Sequence, residues 1–270
     1  MGVWSNMNIF FIGDIVGRAG RRAVRKLLDN IKEDYKVDVI IANGENAAGG
    51  FGITEKVAKE LFDYGIDVLT MGNHTWNNKD IFNFIDDEKN LIRPLNYMPG
   101  VPGRGWTIIE NDGYKLAVVN LIGQIYMQEA NSPVMVFDKA FSKIKEKVDF
   151  IIIDFHAEAT GEKLAFANYV DGNVSIVAGT HTHVQTADEK ILDNGTGYIT
   201  DLGLTGAVDS ILGMKKEAVI KKLTTQMPER FSVGTGQTQI EGAIFEVDEK
   251  TKNTININRI SRKDKNSKKN

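Results

Sequence analysis

Four histidines stand in the 270-residue chain, His74, His156, His181 and His183, and there is no cysteine. Disulfides, thiolate metal sites and cysteine nucleophiles are therefore excluded, and any imidazole ligand or base is one of these four. Each lies just beyond a short apolar run, at Gly72-Asn73-His74, at Phe155-His156 and at Gly179-Thr180-His181-Thr182-His183. Two further runs end at Gly13-Asp14 and at Asn43-Gly44-Glu45-Asn46. Any one of these could be ordinary turn chemistry, but five of them together form a pattern. Asp14, Glu45, Asn46, Asn73, His156, His181 and His183 make seven candidate metal ligands, all oxygen or nitrogen. Such a set suits manganese, iron, zinc, cobalt or nickel and disfavours calcium. It is too many for one four-coordinate zinc and suits two ions sharing a carboxylate. Two divalent ions outweigh the charges of Asp14 and Glu45, so the centre stays positive and favours an anionic substrate. Two ions about 3.5–4 Å apart are the usual apparatus for in-line displacement at phosphorus. The remaining histidine, His74 beside Asn73, is the natural general acid for the departing alkoxide.

These residues need a frame that gathers five separated segments. Residues 8–12 (NIFFI) read as a buried strand stopping at a loop. A helix is predicted from about 18 to 35, with Ala23, Val24, Leu27, Leu28 and Ile31 at helical spacing. Residues 37–42 make a second strand, and Thr54 caps a helix with Val57, Ala58, Leu61 and Phe62 on one face. Residues 66–71 make a third strand. A long Pro- and Gly-marked loop follows from about 86 to 105, and residues 106–110 and 114–121 flank the hairpin signal Asn111-Asp112-Gly113. The rhythm resumes with helices near 136–147 and 159–169 and strands at 149–155 and 174–178. Residues 198–200, 240–247 and 254–260 close the chain in a more antiparallel manner. Alternating strands and helices imply an α/β domain with right-handed βαβ units and a largely parallel sheet. The carboxyl ends of its strands would share one rim, where such proteins bind ligands. On an extended segment, His181 and His183 at i and i+2 would place both rings on one side.

Composition narrows the function further. With 42% hydrophobic and 26% charged residues the chain is ordinary globular protein. Lys and Arg number 33 against 36 Asp and Glu, which leaves no bulk field for gripping nucleic acid. Residues 261–270 concentrate Arg262, Lys263, Lys265, Lys268 and Lys269 against Asp264 and read as a basic disordered tail. No apolar run approaches the roughly 18 residues of a membrane span. The opening MGVWSN lacks the regions of a signal peptide, so residues 1–6 read as a cloning scar, an alternative start or a disordered N-terminus. Residues 7–260 form one domain, and the chain reads as cytoplasmic. Gly13, Gly17 and Gly20 are spaced G-x3-G-x2-G, so the dinucleotide fingerprint is absent, as is a P-loop, and no nucleotide cofactor is expected.

Taken in order, Asp14, Asn46, Gly72-Asn73-His74, His156 and Gly179-Thr180-His181-Thr182-His183 resemble the calcineurin-like metallophosphoesterases, the last being close to their G-H-x-H pattern. Two motifs depart from it. The usual D-x-H reads Asp14-Ile15-Val16, and the usual G-D-x-x-D reads Gly44-Glu45-Asn46. Asn46 would replace the missing histidine ligand and Glu45 the bridging aspartate. That substituted set, with GDIVGR, NGENAAGGFGIT, MGNHTW and GTHTHVQTAD, is similar to the YmdB-type subfamily from about Met7 to Arg262. The resemblance implies mixed β-sheets in a sandwich core flanked by α-helices. It implies a first metal on Asp14, Glu45, Asn46 and His183 and a second on Glu45, Asn73, His156 and His181. Iron or manganese is expected first, and zinc after them.

The resemblance also implies phosphodiester hydrolysis, notably of 2′,3′-cyclic nucleotides such as those derived from RNA, by a self-associating bacterial protein. The expected reaction is attack of a metal-bridging hydroxide on phosphorus with His74 as general acid. A phosphomonoesterase of nucleotides or phosphoproteins would use the same centre. A regulatory protein acting mainly by binding is the remaining reading, and the competence of every ligand position counts against it.

Overall fold

The computed structural model describes residues 6–265. The chain opens with β1 (Asn6–Ile12) and, after Gly13, the two-residue β2 (Asp14–Ile15) leading into α1 (Gly17–Tyr35). Then come β3 (Val39–Asn43), α2 (Glu55–Asp63), β4 (Val68–Thr70), a short 3-10 helix (Lys79–Asn83) and β5 (Leu91–Ile92). A hairpin of β6 (Trp106–Asn111) and β7 (Tyr114–Ile122) starts the second half, followed by α3 (Pro133–Ile144), β8 (Phe150–His156), α4 (Thr160–Val170) and β9 (Ile176–Thr180). The chain ends with β10 (Lys190–Ile191), β11 (Gly197–Ile199), β12 (Leu204–Ala207), α5 (Lys216–Thr225), β13 (Thr238–Asp248) and β14 (Thr254–Lys263).

Local chemistry explains most of these boundaries. Thr54 Oγ1 accepts the Val57 amide at 3.3 Å and Ser132 Oγ that of Met135 at 3.4 Å, so both helices start on a side-chain cap. α1 ends where Lys36 turns left-handed and its N–H donates to the Lys32 carbonyl. Asp112 and Gly113, at φ 46° and 86°, make the two-residue turn between β6 and β7.

The strands form two mixed sheets. One runs β2-β12-β13-β1-β3-β4-β5, with β14 also paired to β13; the other runs β10-β11-β9-β8-β7-β6. Side chains alternate across each strand, and this builds three apolar layers. Ile9 and Phe11 of β1 meet Val118, Ile152 and Ile176 between the sheets, whereas Phe10 and Ile12 face α1 and α2. Val119, Ile153 and Val177 cover the other side against Phe137 of α3 and Phe166 of α4. Each such buried side chain contributes about 1.5–3 kcal/mol relative to exposure.

The sandwich flanked by helices agrees with the fold that the motifs resemble, and it corrects the single largely parallel sheet read from periodicity. An apolar strand buried on both faces says nothing of which sheet it joins. Two expected disordered ends are shortened as well. Asn6 pairs with Asp248 in β1, and Ser261 to Lys263 continue β14 opposite Gln239 to Glu241, because main-chain pairing is indifferent to a basic side chain. Arg262 meets Asp34 at 2.7 Å and Asp264 meets Lys26 at 2.6 Å. The rest of both expected segments, residues 1–5 and 266–270, lies outside the described residues.

Candidate metal centre

The strand ends β2, β3, β4, β8 and β9 converge at one end of the sandwich. Asp14 lies on β2, Glu45 and Asn46 follow β3, Asn73 and His74 follow β4, His156 closes β8, and His181 and His183 follow β9. The rim thus spans both sheets rather than one. Glycine makes the approach feasible: a Cβ on Gly72 would fall 2.3 Å from the His156 ring, and one on Gly13 2.2 Å from the Gly203 carbonyl oxygen.

All seven candidate ligands come together, in two groups that share Glu45. On one side, His156 Nε2 lies 3.2 Å from Glu45 Oε1, 2.9 Å from Asn73 Oδ1 and 3.1 Å from His181 Nδ1. One ligand atom each from Glu45, His156 and His181 fits within 4.8 Å of the others. On the other side, Asn46 Nδ2 lies 3.3 Å from the same Glu45 Oε1 and 3.2 Å from His183 Nε2, which stands 3.5 Å from Asp14 Oδ1. The second Glu45 oxygen accepts the His74 main-chain N–H at 2.8 Å. The half-buried His74 ring meets Phe51 edge to face, centroids 4.9 Å apart.

Burial makes every charge here costly, and the neighbours decide the outcome. Burial pushes the Asp14 carboxyl up, but His183 outweighs it and holds Asp14 well below the carboxylate range. Glu45 is lowered in the same way, against its burial, by His156. Burial pulls His156 down and Glu45 more than restores it, so the net shift is upward. Asp14 likewise overcomes burial at His183 and pushes it up to about 9. His181 moves the other way, to about 4, through burial and then the charge on His156. Each carboxylate thus favours the charged form of the imidazole beside it, an electrostatic environment suited to cations. Asp14 Oδ1 is buried and makes no hydrogen bond, with His183 Nε2 standing off at 3.5 Å, and a buried carboxylate oxygen of this kind calls for a cation. The donor set, its burial and this orphaned oxygen all fit divalent metal ions.

The structure adds supports outside the seven. Thr180 Oγ1 donates to Asp154 Oδ1 at 2.7 Å, so it accepts from His156 Nδ1 at 2.9 Å and turns Nε2 towards the other ligands. Asn43 and Thr70 also bond Asp154, whose burial pushes it up to about 6. Lys163, 1% exposed, donates to the Thr180 carbonyl at 2.8 Å and to Asp201 at 2.9 Å. The Asp201 oxygens accept the Thr182 and Gly203 amides at 3.0 and 2.9 Å, and the Gly203 carbonyl accepts the Asp14 amide at 3.0 Å. Outside this network, exposed Glu158 stands 3.2 Å from His181 Nε2. One local expectation fails: His181 and His183 are not on extended backbone but at φ 101° and 63°. Their rings converge because the loop coils, a conformation side-chain-bearing residues adopt only when held there.

Two mixed sheets with this ligand-bearing rim define a phosphoesterase of calcineurin-like metallophosphoesterase fold. A putative 5′-nucleotidase from Staphylococcus aureus shares the fold, at TM-score 0.61 and 14% identity over 96% of this chain and 54% of its own. The chain belongs to the YmdB-like protein family, whose profile it matches over residues 10–260. It is 48% identical over 254 residues to the 2′,3′-cyclic-nucleotide 2′-phosphodiesterase of Bacillus subtilis (strain 168), covering 94% of this chain and 96% of that one. The crystal structure of a novel phosphatase from Mycoplasma pneumoniae matches at TM-score 0.91 and 34% identity, over 97% of this chain and 95% of that one.

Proposed function

We propose that the protein is a dinuclear metal-dependent phosphodiesterase acting on 2′,3′-cyclic nucleotides. The observation that carries this reading is the position of Glu45 Oε1, 3.2 Å from His156 Nε2 and 3.3 Å from Asn46 Nδ2, between two donor groups. Asp14, Glu45, Asn46 and His183 would hold one ion, and Glu45, Asn73, His156 and His181 the other. Iron or manganese suits these ligands, and zinc after them. Two such ions supply positive charge to phosphoryl oxygens and acidify a water molecule. The Bacillus subtilis relative's name supports the substrate class.

The chain's own groups do the rest. Water supplies the oxygen that bonds to phosphorus while the bond from phosphorus to the ribose 2′ oxygen breaks. His74 delivers the proton that this oxygen needs, which leaves a nucleoside 3′-monophosphate. Glu45 fixes the His74 main chain through its second oxygen, so the proposed acid and the shared ligand are positioned as one unit. Self-association, expected from the sequence, belongs to the same proposal and is read by light scattering.

A positioned general acid is worth about 10²–10⁴-fold. His74→Ala is therefore expected to keep its metal content and to lose turnover of 2′,3′-cyclic AMP by that factor. Hydrolysis of bis-p-nitrophenyl phosphate, whose leaving group needs little protonation, is expected to fall much less. Metal loss in His74→Ala would move His74 into the ligand shell, and faster turnover of the matching monoesters by the wild type would replace the diesterase by a monoesterase.

A further inference from the structure

The segment after Asn46 has a shape that metal binding does not require. Gly49, Gly50 and Gly52 sit at φ 72°, 101° and 74°, and between them Phe51 stands 39% exposed. Two of these glycines leave little room for a side chain. A Cβ on Gly50 would meet Met214 Cε at 2.9 Å, and one on Gly52 would meet the Asn78 main chain at 2.8 Å. Its ends are tied by Gly50 N–H to the Asn46 carbonyl at 3.2 Å and Ala48 N–H to the Gly52 carbonyl at 3.0 Å. Left-handed glycines thus hold an apolar ring in the open, five residues from the candidate ligand Asn46 and edge to face with His74. A partly exposed ring held by the backbone beside a polar centre can stack on a flat partner.

We propose that Phe51 is the stacking platform for the nucleobase of the substrate; this rests on the cyclic-nucleotide reading above. The geometry of the substrate supports it. The leaving 2′ oxygen is on the ribose carbon next to the one that bears the base, so the base lies on the side of the proton donor. Phe51 is in ring contact with that proposed donor, centroids 4.9 Å apart. A π-face reads any base, so the platform gives affinity for nucleosides with little choice among them.

Phe51→Ala and Phe51→Leu, the second keeping apolar volume without a π-face, test this against two substrates, 2′,3′-cyclic AMP and ribose 2,3-cyclic phosphate. Both variants are expected to raise KM for the nucleotide about tenfold with kcat little changed. The baseless substrate should stay within about twofold of wild type, since no stacking is lost, and Phe51→Trp should restore the nucleotide KM. Equal losses on both substrates would overturn the proposal and make Phe51 a support for His74. Binding supplies a readout without turnover: adenosine 3′-monophosphate should bind the wild type more tightly than ribose 3-phosphate does, and Phe51→Ala should erase the difference. Equal binding of the two ligands by the wild type also overturns it. Failure of the wild type to hydrolyse either cyclic substrate would sink the phosphodiesterase reading, while the binding comparison still decides on the platform.

Discussion

His156 and the pair His181 and His183 face one centre but are held in different ways. His156 is the last residue of a regular strand, wholly buried, its ring fixed by Thr180 and Asp154. His181 and His183 leave the neighbouring strand on left-handed backbone, in a loop tied down by the buried Lys163–Asp201 pair. The first half of the centre is thus supplied by secondary structure and a neutral hydroxyl. The second half is a strained loop whose conformation depends on one ion pair. A loop that orients ligands by strain needs a strong internal tether. A buried ammonium with two acceptors provides one, at the risk that losing either partner leaves a buried charge.

Breaking the tether should have the largest effect. Lys163→Met leaves the Asp201 carboxylate buried and unpaired, and is expected to cost about 3–5 kcal/mol in urea unfolding. Adding Asp201→Asn should recover much of that loss, and an unchanged midpoint in the single variant would refute the tether. The strand-held half should respond through the metal more than through stability. Thr180→Val removes the acceptor of His156 Nδ1 and is expected to weaken metal affinity about 10–100-fold, read by chelator competition, with a smaller shift in unfolding. If Thr180→Val destabilised the fold as much as Lys163→Met, the two halves would not differ.

Protonation divides the loop-held pair itself. With His183 pushed up to about 9 and His181 held down to about 4, at pH 7 the metal-free protein carries a proton on His183 and none on His181. A metal ion taken by His183 must displace that proton, so affinity should rise as pH rises towards 9 and uptake should release protons. Calorimetry in two buffers of different ionisation enthalpy measures this, and metal uptake without proton release would contradict it.

The rim was legible in the sequence because glycines punctuate the apolar runs just before the ligands, at Gly13, Gly44, Gly72 and Gly179. The two-sheet arrangement was not, since strands buried on both faces carry no mark of their sheet. The tether does carry a mark in the sequence. Lys163, Phe166, Ala167 and Val170 are the buried residues of α4 and follow helical spacing, so a lysine occupies the apolar stripe. Asp154, the one charge in the run FIIIDFH, is a mark of the same kind. The left-handed histidines have no such mark, because nothing in H-T-H distinguishes a coiled loop from a strand. Within β14, the basic side chains of Arg262 and Lys263 masked a continuing ladder.

The proposed centre turns on one carboxylate, Glu45, shared by both ions, and metal analysis of Glu45→Ala beside the wild type tests this most directly. Two ions per chain are expected in the wild type and none in the variant, with both folded to the same extent by circular dichroism. A variant that keeps two ions, or that loses only one, would contradict the shared ligand.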